Sequence, residues 1–229
     1  MALKNLLDQV GLLLLNEKFM RKIIILDTTL RDGAQGENIN FSLSDKVKAA
    51  GILADFGIDY IEAGWPVSNP KDNYFFRHII RYLNIHSKIV AFCSTRKKGV
   101  SAKSDTNLMA VIRSKVKTAT VFGKTPLSHV DRILKTTKEE NLSMIFDSIT
   151  FLKKNNIRVI YDAEHFFDGY KENPNYALVC LKTAAKAGAI NITLCDTNGS
   201  ALPCEIEAII KIIKRKINIP LGIHAHNDN

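Results

Sequence analysis

Ile23-Ile24-Ile25-Leu26-Asp27-Thr28-Thr29-Leu30-Arg31-Asp32-Gly33-Ala34-Gln35 passes from an apolar run straight into a dense polar segment. The run Ile23–Thr28 has the composition of a buried β-strand, and the residues after it read as the turn at its carboxyl end. The content of that turn bears on the architecture. A nucleotide-binding sheet would follow its first strand with a G-x-G-x-x-G or Walker loop, and neither is present. A cation beside a carboxylate, Arg31-Asp32, stands there instead.

The same unit recurs along the chain. Further strand candidates are Ile58–Ala63, Lys88–Cys93, Thr118–Phe122, Arg158–Asp162, Asn191–Cys195 and Pro220–His224. Helical patterns lie between them. Ser44-Asp45 is expected to cap a helix running to Gly57, and Lys138–Asn155 and Asn175–Ala187 carry apolar residues at helical spacing. Pro203 stands where a first turn would begin before a Glu205–Lys216 helix. Strand and helix in strict alternation mean consecutive βαβ units and a parallel sheet. Polar clusters fall at the carboxyl ends of several strands: Asp27–Asp32, Glu62–Trp65, Asp162–Glu164, Asp196–Asn198 and His224–Asp228. Catalytic groups drawn from many strand ends at one face are the mark of a TIM (β/α)8-type barrel. The expected fold is therefore α/β, a barrel over residues 21–229, incomplete because the chain stops after the seventh strand.

Composition fits a globular cytoplasmic protein with a substantial core, at 229 residues and 46% hydrophobic content. The net charge of +9 suits anionic ligands. Its lysines are scattered over helix faces without an aromatic-basic module, so no nucleic-acid partner is expected. Four cysteines without a CxxC pair read as reduced, mostly buried thiols. Residues 1–20 form an N-terminal extension, expected as a short packed helix; its apolar run Leu12–Leu15 is far too short to span a membrane.

The end of the chain supplies the other half of a site. His224-Ala225-His226 places two imidazoles at i and i+2, which on a strand point to one side. Two imidazoles and a carboxylate such as Asp32 make a plausible ligand set for zinc, manganese or cobalt, and less comfortably magnesium. A divalent cation flanked by the Arg31 guanidinium suits a substrate that carries a carboxylate next to a carbonyl, as a 2-oxo acid does.

Leu26–Gln35 together with His224-Ala225-His226-Asn227-Asp228 resembles the signature pair of the 2-isopropylmalate, homocitrate and citramalate synthase superfamily. Within it, Ile61–Asp72 and Tyr161–Lys171 are most similar to the citramalate synthase branch, and the likeness runs from about Met20 to the end. The resemblance implies metal-dependent condensation of acetyl-CoA with a 2-oxo acid, here pyruvate, in branched-chain amino-acid biosynthesis. It implies Asp32, His224 and His226 as metal ligands, with Arg31 stabilising the developing oxyanion. It further implies Glu164 as a catalytic-pocket glutamate, Gln35 and Thr197 as substrate contacts, and Asn227 and Asp228 as orienters of the histidines. Two alternatives stand beside it: condensation with 2-oxoisovalerate, and a non-catalytic remnant or half of a split synthase. The family's proton-abstracting histidine lies in a later subdomain, so a homodimer or a complementing C-terminal segment is implied as partner.

Other polar residues have plainer readings. Asp27 is expected to anchor the first turn, Glu62 to make either a salt bridge or a ligand contact, and Trp65-Pro66 to form a pocket wall. His165 is expected to face away from Glu164, and Cys195 to belong to the core. Homocitrate synthases place an arginine where this chain has Ile160, which cannot pair a second buried carboxylate. A slightly larger apolar keto acid is harder to discriminate, because a few methylenes change binding only modestly.

Overall fold

The computed structural model describes residues 23–79 and 88–226. The expected extension at residues 1–20 lies outside the described residues, as do Asn227 and Asp228. Among the described residues seven strands form one sheet: β1 (Leu26–Asp27), β2 (Tyr60–Glu62), β3 (Lys88–Ser94), β4 (Thr118–Lys124), β5 (Arg158–Glu164), β6 (Asn191–Asp196) and β7 (Leu221–Ala225). They lie in sequence order, every neighbouring pair parallel. Among the described residues β1 and β7 each pair on one side only, so the barrel is open between them.

Alternation along the strands gives the sheet two faces. On β5, Val159, Tyr161 and Ala163 join the apolar core beneath the helices. Ile160, Asp162 and Glu164 point the other way, into the barrel. The register carries this pattern across the sheet: Phe122 pairs with Asp162, Lys124 with Glu164, Asp162 with Thr193 and Cys195 with His224. The outer core is large, with Tyr161, Leu152, Ile149 and Leu181 fully buried. The inner face collects the polar side chains.

Helices cover the outer face: α1 (Leu43–Asp55), α2 (Pro70–Tyr74), α3 (Thr106–Ser114), α4 (Leu127–Arg132), α5 (Lys138–Lys154), α6 (Phe166–Glu172), α7 (Pro174–Ala187) and α8 (Pro203–Lys214). The cap of α1 is Ser42, two residues before the expected Ser44-Asp45. Asp45 is nevertheless essential to it. The Ser42 hydroxyl accepts from the Asp45 amide at 3.1 Å, and the Asp45 carboxylate accepts from the Ser42 amide at 2.9 Å. Helix α8 likewise starts two residues before Glu205, with Pro203 in its first turn. The first strand is shorter than expected. Ile23, Ile24 and Ile25 are exposed, and the Ile25 amide donates to the Asp59 carboxylate at 3.1 Å rather than to a strand.

Arg96, just after β3, fastens that strand's loop to α5. Its guanidinium reaches Glu140 at 2.7 Å, Asp147 at 2.9 Å and Ser143 at 3.0 Å. Arg96→Ala is expected to cost about 2 kcal/mol, the scale of hydrogen bonds to charged groups. A urea melt that leaves the midpoint unchanged would show that the network is slack.

Candidate metal centre and adjoining cleft

The polar turn after β1 is wound tightly around one carbonyl. Thr28 O accepts from the amides of Arg31, Asp32 and Gly33 at 3.0, 2.8 and 3.2 Å. Asp27 anchors it as expected, its carboxylate accepting from the Thr29 amide at 3.0 Å and the Thr29 hydroxyl at 3.1 Å. This winding aims Asp32 across the barrel mouth. Asp32 Oδ2 lies 3.3 Å from His224 Nε2 and 3.6 Å from His226 Nε2. Residues at the two ends of the strand order therefore meet, so the sheet is curled. The two imidazoles, His224 on β7 and His226 just past its end, stack at 4.9 Å between centroids and 20° between planes. Ligand atoms of Asp32, His224 and His226 all fall within 4.8 Å of one another.

The electrostatics agree with the geometry. A hydrogen bond from His224, opposed by burial and aided by Arg31, holds the Asp32 carboxyl below its ordinary range. The same bond raises His224 above the ordinary imidazole value. Without a cation the pair thus stabilises the fold most between about pH 4 and 6.5, the unperturbed carboxylate and imidazole values. It fades as pH falls through the Asp32 value or rises through that of His224.

Arg31 is clamped on three sides. Its Nε donates to Glu62 Oε2 at 2.5 Å and Nη1 to Asp32 Oδ1 at 2.8 Å, while the guanidinium lies 3.9 Å above the Phe92 ring. Burial works against its charge, yet Glu62 and Asp32 outweigh burial and raise its pKa. Of the two readings open for Glu62, the salt bridge is the one formed.

The remaining expected residues stand around this group. Glu164 pairs with Lys124 at 2.6 Å. The Thr197 hydroxyl accepts from the His165 amide at 2.9 Å. His165 itself adopts a left-handed backbone, φ 52°, and turns its ring to Asp168 at 3.2 Å. Gln35 lines a cleft of about 590 Å³ with Arg31, Asn40, Lys46 and Trp65. Trp65 forms its wall as expected, packed edge-on against Phe92 and Phe122 at 5.6 and 5.8 Å. Asp32, His224, His226 and Arg31 thus form one contiguous group, with Gln35 in the adjoining cleft and Glu164 and Thr197 at the ends of β5 and β6.

Two residues have a place at the site that the sequence reading left unassigned. Lys124 neutralises Glu164. Asp162 is buried beneath the Asp32, His224 and His226 group, and burial together with the Glu62 charge pushes its pKa up to about 7. The period-2 pattern Ile160, Asp162, Glu164 was the available signal.

A profile of the HMGL-like family matches residues 22–229. Over 211 residues the chain is 50% identical to the (R)-citramalate synthase of Sulfolobus acidocaldarius, covering 92% of this chain and 40% of that protein. The (R)-citramalate synthase of Aquifex aeolicus is 49% identical, with 91% and 40% covered. The 2-isopropylmalate synthase of Methanocaldococcus jannaschii is more distant, at 32% identity with 90% and 38% covered. This chain therefore spans about 40% of the length of these relatives. Among solved structures, the HMG-CoA lyase of Bacillus subtilis superposes with a TM-score of 0.73 at 18% identity, covering 90% of this chain and 69% of that one. The hydroxymethylglutaryl-CoA lyase of Pseudomonas aeruginosa gives 0.71 at 19% identity, covering 90% and 68%. These two similarities show the shared fold.

Proposed function

Because the chain belongs to the HMGL-like family, we propose that residues 21–229 are the catalytic barrel of a cytoplasmic acyltransferase that condenses acetyl-CoA with pyruvate, giving citramalate and CoA. One observation carries the reading: Arg31 is locked by Glu62 against the Asp32, His224 and His226 group at the barrel mouth. The identity to citramalate synthases supports the choice of substrate.

The donor set fits a divalent cation, with two imidazole nitrogens and one carboxylate oxygen converging from separate strand ends. A cation held there would supply Lewis-acid stabilisation of charge on a keto oxygen, worth several kcal/mol. Arg31 commits two of its five N–H groups to Glu62 and Asp32. The others remain to donate to the keto oxygen as it becomes an alkoxide. Since the guanidinium is fixed beforehand, little reorganisation is needed when the charge develops. Thr197 accepts from the His165 amide, which leaves its own proton for the substrate carboxylate. In the overall reaction the acetyl methyl loses a proton and its carbon bonds to the keto carbon. The alkoxide gains a proton, and water then cleaves the thioester.

The inner face favours a small apolar keto acid. Ile160 offers no charge, and the nearby cation, Lys124, is already paired with Glu164. CoA release from acetyl-CoA is therefore expected to be fastest with pyruvate, slower with 2-oxoisovalerate and absent with 2-oxoglutarate. Equal or faster release with 2-oxoisovalerate would move the assignment to 2-isopropylmalate synthesis. Silence with every keto acid, from protein that binds manganese, would make this chain a half-enzyme or remnant.

Metal binding has its own test. His226→Ala is expected to weaken Mn²⁺ binding by about 10–100-fold or more, since even outer partners cost that much. Wild-type affinity should climb with pH beyond the ordinary imidazole value, because His224 must give up a proton that Asp32 helps retain. Flat affinity between pH 6 and 8 would remove His224 from the ligand set.

A further inference from the structure

A second group of donors lies on the inner face below the first. The Asp162 carboxylate, the Cys195 thiol and the His224 imidazole have ligand atoms within 4.8 Å of one another. They come from three adjacent strands. Asp162 pairs in register with Thr193 and Cys195 with His224, so all three side chains emerge on one face. Asp162 and Cys195 are 5% and 6% exposed. Among the described residues Asp162 Oδ1 has no hydrogen-bond partner, and the thiol makes a long 3.8 Å contact with Thr193 O. A buried carboxylate oxygen left unmatched is costly, and a cation would satisfy it.

We infer that Asp162, Cys195 and His224 form a second, inner cation position that takes thiophilic divalent ions such as Cd²⁺ or Zn²⁺. The chemistry separates it from the outer group. Asp32, His224 and His226 offer nitrogen and oxygen alone, whereas the inner set adds sulfur, which favours softer ions. When such an ion binds, the Cys195 S–H bond breaks, its proton leaves to solvent, and the sulfur bonds to the metal. His224 is common to both sets, and a neutral imidazole presents one lone pair to a ligand. Filling the inner position therefore draws a ligand from the outer one, making soft ions antagonists of the proposed reaction. That antagonism rests on the proposed outer metal position; binding at the inner one does not.

The test uses the purified chain and Cd²⁺ alone, followed by the thiolate-to-cadmium charge-transfer band in the ultraviolet. The wild type should show a saturable one-equivalent band, lost in Cys195→Ser and kept in Cys204→Ser and Asp32→Ala. Asp162→Asn should weaken Cd²⁺ binding by at least about tenfold, as even peripheral ligand partners do when removed. No band in the wild type, or a band that survives Cys195→Ser, overturns the proposal. So does its loss in Asp32→Ala, which would place the thiol in the outer group. Should Cys195→Ser fail to fold by circular dichroism, Cys195→Ala and Asp162→Asn pose the same question. Mn²⁺ binding, read by electron paramagnetic resonance on the same samples, reports the outer position separately. Cd²⁺ should release Mn²⁺ from the wild type at lower concentration than from Cys195→Ser. Equal release would overturn the antagonism, and no Mn²⁺ binding at all would sink the outer reading while leaving the cadmium result to judge the inner one.

Discussion

Arg31→Met is expected to destabilise the protein by about 3–5 kcal/mol, the cost of stranding one partner of a buried ion pair. The stranded partner is Glu62, which is 0% exposed and bonded to Arg31 at 2.5 Å. Its other oxygen, Oε1, already lacks a hydrogen-bond partner among the described residues. Without the guanidinium, the buried carboxylate would lose this bond and still face Asp162. The double variant Arg31→Met with Glu62→Leu should recover most of the lost stability, since a well-packed apolar pair often replaces a buried ion pair at little cost. Turnover should not return with it. Losing a preorganised donor to a developing oxyanion costs about 10²–10³ in rate, and the double variant restores none. Urea denaturation and CoA release, run on both variants, separate the two roles of Arg31. Turnover within a few fold of wild type in either variant would show that Arg31 is structural only.

The second large effect is expected at Asp72. Its carboxylate pairs with the Lys46 ammonium and accepts from the Trp65 amide at 3.0 Å and the Ser68 hydroxyl at 3.3 Å. Lys46 and Asp72 side chains are 4% and 8% exposed. In Asp72→Ala the ammonium keeps, among the described residues, only its bond to Ala63 O, so about 3–5 kcal/mol should be lost. The cleft wall should loosen as well, because Trp65 loses the acceptor for its amide. Trp65 is the single tryptophan, so its fluorescence reports that wall directly. Gly64→Ala attacks the same junction from the other side. Gly64 has φ +139°, and an added Cβ would lie 2.5 Å from Asp72 Oδ2. Both variants should shift tryptophan emission and lower the urea midpoint. An unchanged midpoint in Asp72→Ala would mean that water reaches Lys46 and replaces the lost carboxylate.

The parts of this molecule that could be read from sequence are those governed by local periodicity. Apolar runs located all seven strands, and carboxyl-terminal polar residues located the functional face, because in a barrel both follow from position along the strand. Asp32, His224 and His226 could be paired on ligand chemistry alone. The Arg31–Glu62 bond could not, since Arg31 lies in the turn after β1 while Glu62 ends β2, and Glu62 had an equally reasonable ligand role. Asp162 escaped assignment because burial and its neighbours, rather than its identity, set its state. Boundaries suffered from competition between local signals: Ser42 and Ser44 are both good caps, and only Ser42 has Asp45 at the reciprocating position. The apolar run Ile23–Ile25 outlasts its strand: among the described residues β1 pairs only through Leu26 and Asp27, with Tyr60 and Ile61.

Asp32 and His224 are about two hundred residues apart along the chain, yet their side chains touch. A cation bridging them would close a loop containing nearly every strand of the sheet. Such a site would be unavailable to a half-folded chain and would come into being only when β7 docks. Ion uptake would then be a clock for the docking of β7 beside the first turn, slower than the local helices because so long a loop must first be drawn shut. It would also act as a latch. At a hundred times its dissociation constant, a cation selective for the folded chain would add about 2.7 kcal/mol against unfolding, so that withdrawal of the metal would first be felt as lost stability.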